Sequence, residues 1–434
     1  MSLLTRSWFS SDGAHTERRN LVHDTAYRRV RTAIMRGVHA IDDAASHVGR
    51  RRVRLLFEAA SPVSLSAFRP VLQYLTQDLR LEFWFMTSDR SWGADRIFGA
   101  AGIRDRVIST AQARWMKFDG YINTDFWNTT WLPRRTRRAH LFHGVAGKYG
   151  LDAPVDIAPV VASFDRLLFP NHDRLLRYAA AGLIDGEGGT ARLVGHPKVD
   201  CLVDGSLDRS AIQRGLGLDA SVPTVLYAPT WSPDSSLNAV GYDVITGLSR
   251  LDVNVIVKLH DRSLDATERR GSGGVNWIRE FDELSQRQRR LHFARDADVS
   301  PYLFAADALV TDHSSVGFEF MLLDRPLVVI DRPELIRKAR INPDKVALLR
   351  SASRVVSRGV DVRGATSRAL ADPRAFSDRR RSIAQDLFYA PGGAAARAAR
   401  ALYELLDLEA PDLLAVPKVS TWTETCSATR GTGV

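Results

Sequence analysis

From about residue 52 onward, short apolar runs bounded by polar turns alternate with stretches of helical period. VRLLFEA (53–59) predicts a strand, and SLSAFRPVLQYL (64–75) predicts the helix after it. LRLEFWFMTS (79–88), KFDGYINTD (117–125), RRAHLFHG (137–144) and DRLLFPN (165–171) predict four more strands, the last leading into a helix over 172–182. Polar and glycine residues then outnumber apolar ones over 195–223. The alternation resumes with PTVLYAPTW (223–231), NVIVKLH (254–260), RLHFARD (290–296), DALVTD (307–312) and PLVVID (326–331). ASRVVSR (352–358) predicts a late strand and APGGAAARAARALYELLDL (390–408) a closing helix. Runs that are apolar throughout, alternating with helices, predict parallel sheets covered on both faces. The expected architecture is α/β, with two doubly wound domains facing a cleft. Its expected boundaries are an Arg-rich helical extension over 1–48, a first domain over 49–205, a second over 206–408 and a tail over 409–434.

Composition adds limits. The 434 residues are 45% hydrophobic and 25% charged, which is ordinary for a globular protein and long enough for two domains. Two cysteines, Cys201 and Cys426, exclude a disulfide framework or a cysteine-rich metal site and fit a reducing cytoplasm. The opening MSLLTRSWFSSDGAHTERRN has no apolar core followed by a cleavage site, so no signal peptide is expected. No apolar run approaches the roughly 18 residues of a membrane span. Net charge is +10, with arginine clusters in GRRRVR (49–54), RRTRR (134–138) and RRRS (379–382). Charge alone leaves nucleic acid, an anionic membrane, an acidic small substrate and a plain solvated surface all open.

Ligands of doubly wound sheets sit outside the carboxyl ends of the strands, which directs attention to the residues there. VLYAPTW ends at Thr230. VIVKLH delivers Lys258 and His260 two apart, on one face of a strand. ALVTD delivers Asp312, and Ser314 and Ser315 open the next helix. Taken singly, the serines read as helix caps, Lys258 as a surface lysine and His260 as a structural histidine. Their coincidence at successive ends of one sheet describes a diphosphate site, with two charge-assisted donors and a helix terminus. In the first half, HLFHGVAGKYG (140–150) places His143 and Gly144 at a strand end, with room for a ligand beside the glycines. An imidazole titrating near pH ~6.5 makes His143 a candidate general base. His140, three residues earlier, is expected to face away and serve structure. GHPKVD (195–200), carrying Lys198 and Asp200, reads as a plain turn closing the first domain.

Together, HGVAGKYG, GHPKVD, VLYAPTWS, VKLH and VTDHSSVGFEFMLLDRPLVV stand in the order and spacing of the CDP-glycerol glycerophosphotransferase family, which includes teichoic acid primases and polymerases. The chain resembles that family over residues 105–405. The resemblance implies a GT-B-like fold and a transferase that moves a glycerophosphate unit from CDP-glycerol to an acceptor hydroxyl, releasing CMP, in teichoic-acid-like cell-wall biosynthesis. It implies His143 as base, His260 at the pyrophosphate, Ser314 and Ser315 on phosphate, and Glu319 at the ribose. Thr230, Lys258 and Asp312 (the last as a cap or orienter) complete the expected nucleotide side; Gly144 and Lys148 are expected on the acceptor side.

No metal or other cofactor is expected, because Lys258, His260 and a helix N-terminus can stand in for a cation. Expected partners are the CDP-alditol donor, a glycan or lipid-linked acceptor, and the anionic cytoplasmic face of a membrane, which Arg-rich patches of the N-terminal half such as 49–54 and 134–138 would touch. No nucleic-acid motif is present. The chain departs from the family where Thr-Pro-Leu-Lys usually follows HG, where Tyr often precedes the serines (here His313), and where Pro usually follows KxH (here Asp261). A GT-B nucleotide-sugar glycosyltransferase or epimerase is the alternative reading, and a non-catalytic binder of anionic polymer or nucleic acid the third.

Overall fold

The computed structural model describes residues 52–89, 92–126, 129, 131–133, 135–145, 157–264 and 272–412, together with Gly37. The rest of the expected 1–48 extension, Lys148 and the tail beyond 412 lie outside the described residues. Six parallel strands form the first sheet: β1 (Val53–Glu58), β2 (Leu81–Met86), β3 (Gly120–Asn123), β4 (Arg137–Leu141), β5 (Arg166–Phe169) and β6 (Ala191–Leu193). Their order is β2-β1-β3-β4-β5-β6. Six more form the second: β7 (Thr224–Tyr227), β8 (Asn254–Lys258), β9 (Leu291–Ala294), β10 (Ala308–Thr311), β11 (Leu327–Ile330) and β12 (Arg354–Val356), in the order β12-β11-β10-β7-β8-β9. The two doubly wound domains expected from the alternation are present. β6 alone was not foreseen, because a three-residue edge strand with Arg192 at its centre has too little apolar pattern to read.

Burial on both faces explains the unbroken apolar runs. In β1, Leu55 and Phe57 enter one core, with Leu65, Phe68 and Val71 of the helix Pro62–Leu75. Leu56 points the other way, into a core with Tyr121, Phe164 and Phe169. Each such side chain contributes roughly 1.5–3 kcal/mol by leaving water. The helix Pro62–Leu75 begins where Ser61 caps it and proline takes its first position, and its apolar residues recur every three or four.

Strand order reverses between β1 and β3 in the first sheet and between β7 and β10 in the second. Chain crossovers leave on opposite sides there, opening a crevice at the strand ends.

The closing helix, Ala394–Leu405, does not stay with the second domain. Ala398, Ala399, Leu402 and Tyr403 bury against the first sheet, beside Leu55 and Phe57. Asp200 anchors its start, accepting from the N–H groups of Gly392 (2.8 Å) and Ala395 (2.7 Å). Asn171 donates to the carbonyls of Val145 (3.0 Å) and Leu387 (2.9 Å), stitching two loops of the first domain to the end of the helix Ser377–Leu387.

Candidate active site

The second sheet contributes the first half. Asp312 follows β10 at the switch point and is fully buried. One oxygen accepts from the Thr230 N–H at 2.8 Å; the other accepts from the N–H (2.9 Å) and hydroxyl (3.0 Å) of Ser236. Asp312 thus holds the 230–236 loop beside the strand end. Ser314 and Ser315 follow, at the start of the helix Val316–Met321, which no side chain caps. The His313 ring is turned inward, its Nε2 3.0 Å from Asp331. Burial lowers the His313 pKa, and the Asp331 carboxylate opposes the shift.

Lys258 and His260 each have neighbours of their own. Lys258 ends β8, is 5% exposed, donates to the Leu259 carbonyl at 2.5 Å, and lies 4.0 Å from Asp261. Burial lowers its pKa, against the pull of Asp261. His260 lies past the strand end, where the chain turns into Asp261–Ser263, and its ring faces Trp231 at 5.9 Å. The Arg262 guanidinium covers the same tryptophan at 4.7 Å.

The first sheet contributes the second half. His143 lies two residues past β4 with its side chain 47% exposed. Its Nδ1 is 2.9 Å from the Thr124 carbonyl. A carbonyl only accepts, so Nδ1 carries the proton and Nε2 keeps its lone pair. That is the tautomer a base needs. Asp125 Oδ1 lies 3.8 Å from the same Nδ1. Beside His143, the Gly144 α-carbon faces open space. His140 turns into the core as expected: its Nδ1 is 2.9 Å from Asn123 Oδ1 and its ring stacks on Phe126 at 3.9 Å.

Both halves meet. Val145, two residues after His143, packs into a core shared with Leu226, Ala228 and Phe318 of the second domain. Lys198 Nζ reaches across to both oxygens of Glu319, at 3.0 and 2.9 Å, in a pair that is almost wholly buried. Burial would lower the Lys198 pKa, but Glu319 outweighs it and raises it. Glu319, which the resemblance sends to the ribose, is held by Lys198 here. His196, two residues earlier and directly before the 3₁₀ turn Pro197–Leu202, is 1% exposed, and neither ring nitrogen meets a hydrogen-bond partner among the described residues. Burial, and then the positive field of Lys198, His143 and Arg174, hold its imidazole well below the ordinary range.

This arrangement can be set beside known proteins. The profile of the CDP-Glycerol:Poly(glycerophosphate) glycerophosphotransferase family matches residues 122–334, which include His143, His260, Ser314 and Glu319. Over that span, just under half of the chain, the sequence carries this family's pattern. A teichoic acid poly(glycerol phosphate) polymerase of Staphylococcus epidermidis is 26% identical over 174 residues, 38% of this chain and 22% of that protein. A teichoic acid glycerol-phosphate transferase of Staphylococcus aureus is 28% identical over 147 residues, 31% of this chain and 33% of that protein. The chain therefore spans a third or less of the length of these relatives. The fold resembles the wall teichoic acid polymerase TagF, with TM-score 0.61 and 13% identity, covering 89% of this chain and 96% of that one. It also resembles the S. aureus MnaA–UDP co-structure, with TM-score 0.54 and 14% identity, covering 83% and 98%.

Reading the sequence for this family's motifs overlooked Asp125 and undervalued GHPKVD. Asp125 closes a predicted strand segment, so the strand-end rule pointed at it. GHPKVD is more than a turn: Gly195 adopts φ +90° where an added Cβ would meet the Tyr389 carbonyl at 2.6 Å, Lys198 bridges the domains, and Asp200 anchors the returning helix. Only the fold brings those partners to it.

Proposed function

We propose that the protein is a transferase that moves a glycerophosphate, or a related alditol phosphate, from CDP-glycerol to an acceptor hydroxyl in the assembly of a teichoic-acid-like surface polymer. The observation that carries this reading is His143, whose Nδ1 is committed to the Thr124 carbonyl and whose Nε2 is left as a base on the first-domain side of the cleft. The acceptor oxygen attacks the β-phosphorus of the donor and gives its proton to Nε2. The bond from that phosphorus to the CMP oxygen breaks, and CMP leaves. No covalent protein intermediate is needed, so rate comes from positioning and from donors aimed at the developing charge. His260, Ser314, Ser315 and Lys258 are the donors assigned to that charge, with Thr230 and Asp312 fixing the loop around them. An arriving diphosphate competes with Leu259 and Asp261 for Lys258. Glu319 is assigned to the ribose, and Gly144 to the space the acceptor enters.

The transfer is read as metal-independent. Both oxygens of Asp312 are engaged by Thr230 and Ser236, and both of Glu319 by Lys198, so neither carboxylate is offered to a cation.

Incubation with CDP-glycerol, CDP-ribitol or UDP-sugars and a panel of glycan and lipid-linked acceptors, with products weighed by mass spectrometry, tests the reading. The expected result is CMP plus an acceptor heavier by one alditol phosphate, with or without EDTA. Turnover of UDP-sugars instead would overturn the donor class. Turnover lost in EDTA and restored by Mg²⁺ or Mn²⁺ would overturn the metal-free mechanism.

A further inference from the structure

Asp125 is the carboxylate within ion-pair distance of His143 among the described residues. Its two oxygens have different tasks. Oδ2 accepts from the Thr124 hydroxyl at 3.0 Å and from the Ser64 hydroxyl at 3.2 Å. Ser64 lies in the first turn of the helix Pro62–Leu75, where its hydroxyl also meets that of Ser61 at 3.2 Å. With Oδ2 anchored to a rigid helix start, Oδ1 is left facing the imidazole at 3.8 Å. That separation is too long for a direct hydrogen bond, so the contact is electrostatic.

We infer that Asp125 is a positioning residue for His143, holding a negative charge beside the ring so that the imidazolium formed on proton uptake is stabilised. The inference rests on the reading of His143 as the base. Its physical basis is a division of labour around one ring. The Thr124 carbonyl selects the tautomer but carries no net charge. Asp125 supplies the charge, from the crevice where the order of the first sheet reverses.

The other ionisable groups around the pair do not take over this task. His140 and His196 are buried, and burial disfavours their charged forms. Arg174, at the start of the helix His172–Ala180, covers the Phe142 ring at 4.8 Å and opposes a second positive charge. Glu58, buried at the end of β1, bonds to Ser88 and Tyr121, and desolvation raises its pKa. Asp125 is therefore the carboxylate that faces the His143 ring.

The test is a ring-nitrogen NMR titration of His143 in the whole protein, together with the pH profile of kcat/KM for CDP-glycerol. In Asp125→Asn the imidazole midpoint and the acid limb of the profile should both move to lower pH, because an opposite charge at this range favours the charged form. We expect kcat to fall about tenfold or more, KM for CDP-glycerol to stay within about threefold, and Asp125→Glu to regain most of the loss. Ser64→Ala, which removes one of the two hydroxyl donors to Oδ2 without touching the charge, should loosen the carboxylate and lower kcat in the same direction by less; it also serves if Asp125→Asn does not fold. A His143 midpoint unmoved in Asp125→Asn, or a Ser64→Ala enzyme that matches wild type while Asp125→Asn is unfolded, overturns the inference. A wild-type protein that never turns over CDP-glycerol defeats the functional reading instead, and the NMR midpoint still decides whether the two side chains are coupled.

Discussion

His143 and His140 are three residues apart, and the structure gives them opposite environments. His143 stands half-exposed with its proton fixed on Nδ1, whereas His140 lies among Phe126, Phe142 and Phe164. His143→Ala should retain CDP-glycerol binding by calorimetry and lose transfer by roughly 10²–10⁴-fold, the usual worth of a general base. Near wild-type transfer in a folded His143→Ala protein would move the base elsewhere. From the sequence, His140→Ala is expected to be a mild stability mutant. The aromatic nest makes it more than that, costing roughly 2–4 kcal/mol in chemical denaturation, as other large-to-small core changes do. His196 allows a test by pH. Its folded-state pKa is depressed, so its contribution to stability is present above the unfolded value of about 6.5 and is lost as pH falls below it. Compared with His196→Gln, the wild type should lose about 1.4 kcal/mol per pH unit below that point. Parallel stability–pH curves for the two proteins would show that His196 is not buried uncharged.

Between elements, the decisive contact is Lys198 with Glu319, which ties the 3₁₀ turn Pro197–Leu202 to the helix Val316–Met321. Removing one partner leaves a buried charge alone. Glu319→Gln or Lys198→Met should therefore cost about 3–5 kcal/mol, while Lys198→Met with Glu319→Leu should restore most of it. Urea denaturation of the four proteins decides this, and a double variant no better than the worse single one would count against it. The arginine run 379–382 gives the same lesson about elements. It reads as one basic patch, yet Arg380 is 1% exposed and bonds to Asp324 and to the carbonyls of Ala375 and Pro373. Helical geometry turns Arg379 and Arg381 outward while Arg380 faces the core.

Across the whole molecule, the described arginines of the patches expected to meet a membrane fall on one edge. Arg52 and Arg54 stand at the start of β1, and Arg135, Arg137 and Arg138 at the start of β4, opposite the strand ends that carry His143. Arg137 is paired with Asp407, and Arg138 donates to the carbonyls of Ser163, Leu132 and Pro133. No helix among the described residues is long and apolar enough to cross a membrane. We propose peripheral attachment through this edge, which would hold the candidate site about one strand length, roughly 17–20 Å, from the surface. Each exposed arginine near an anionic leaflet contributes about 1 kcal/mol, screened beyond roughly 8 Å at physiological salt. Co-sedimentation with anionic vesicles should fall steeply as salt is raised. Equal binding to neutral vesicles would remove this edge as the attachment surface.

By itself the sequence determined the alternation of strands and helices, eleven of the twelve strands among the described residues, and the polar residues at their ends. Those are local facts: a strand buried on both faces must be apolar throughout, and ligand groups must wait until it ends. The family motifs likewise marked His143, His260, Ser314 and Glu319 without any fold. What tertiary structure alone decided is how those groups are engaged. Lys258 donates to the Leu259 carbonyl and lies beside Asp261, whereas His260 lies against Trp231. Glu319 met Lys198 across 121 positions of chain, and the closing helix returned to the first sheet because its apolar stripe completes that core rather than its own neighbour's. Long-range pairings of this kind follow from which faces remain to be covered once the sheets have formed, and no window of sequence contains both partners.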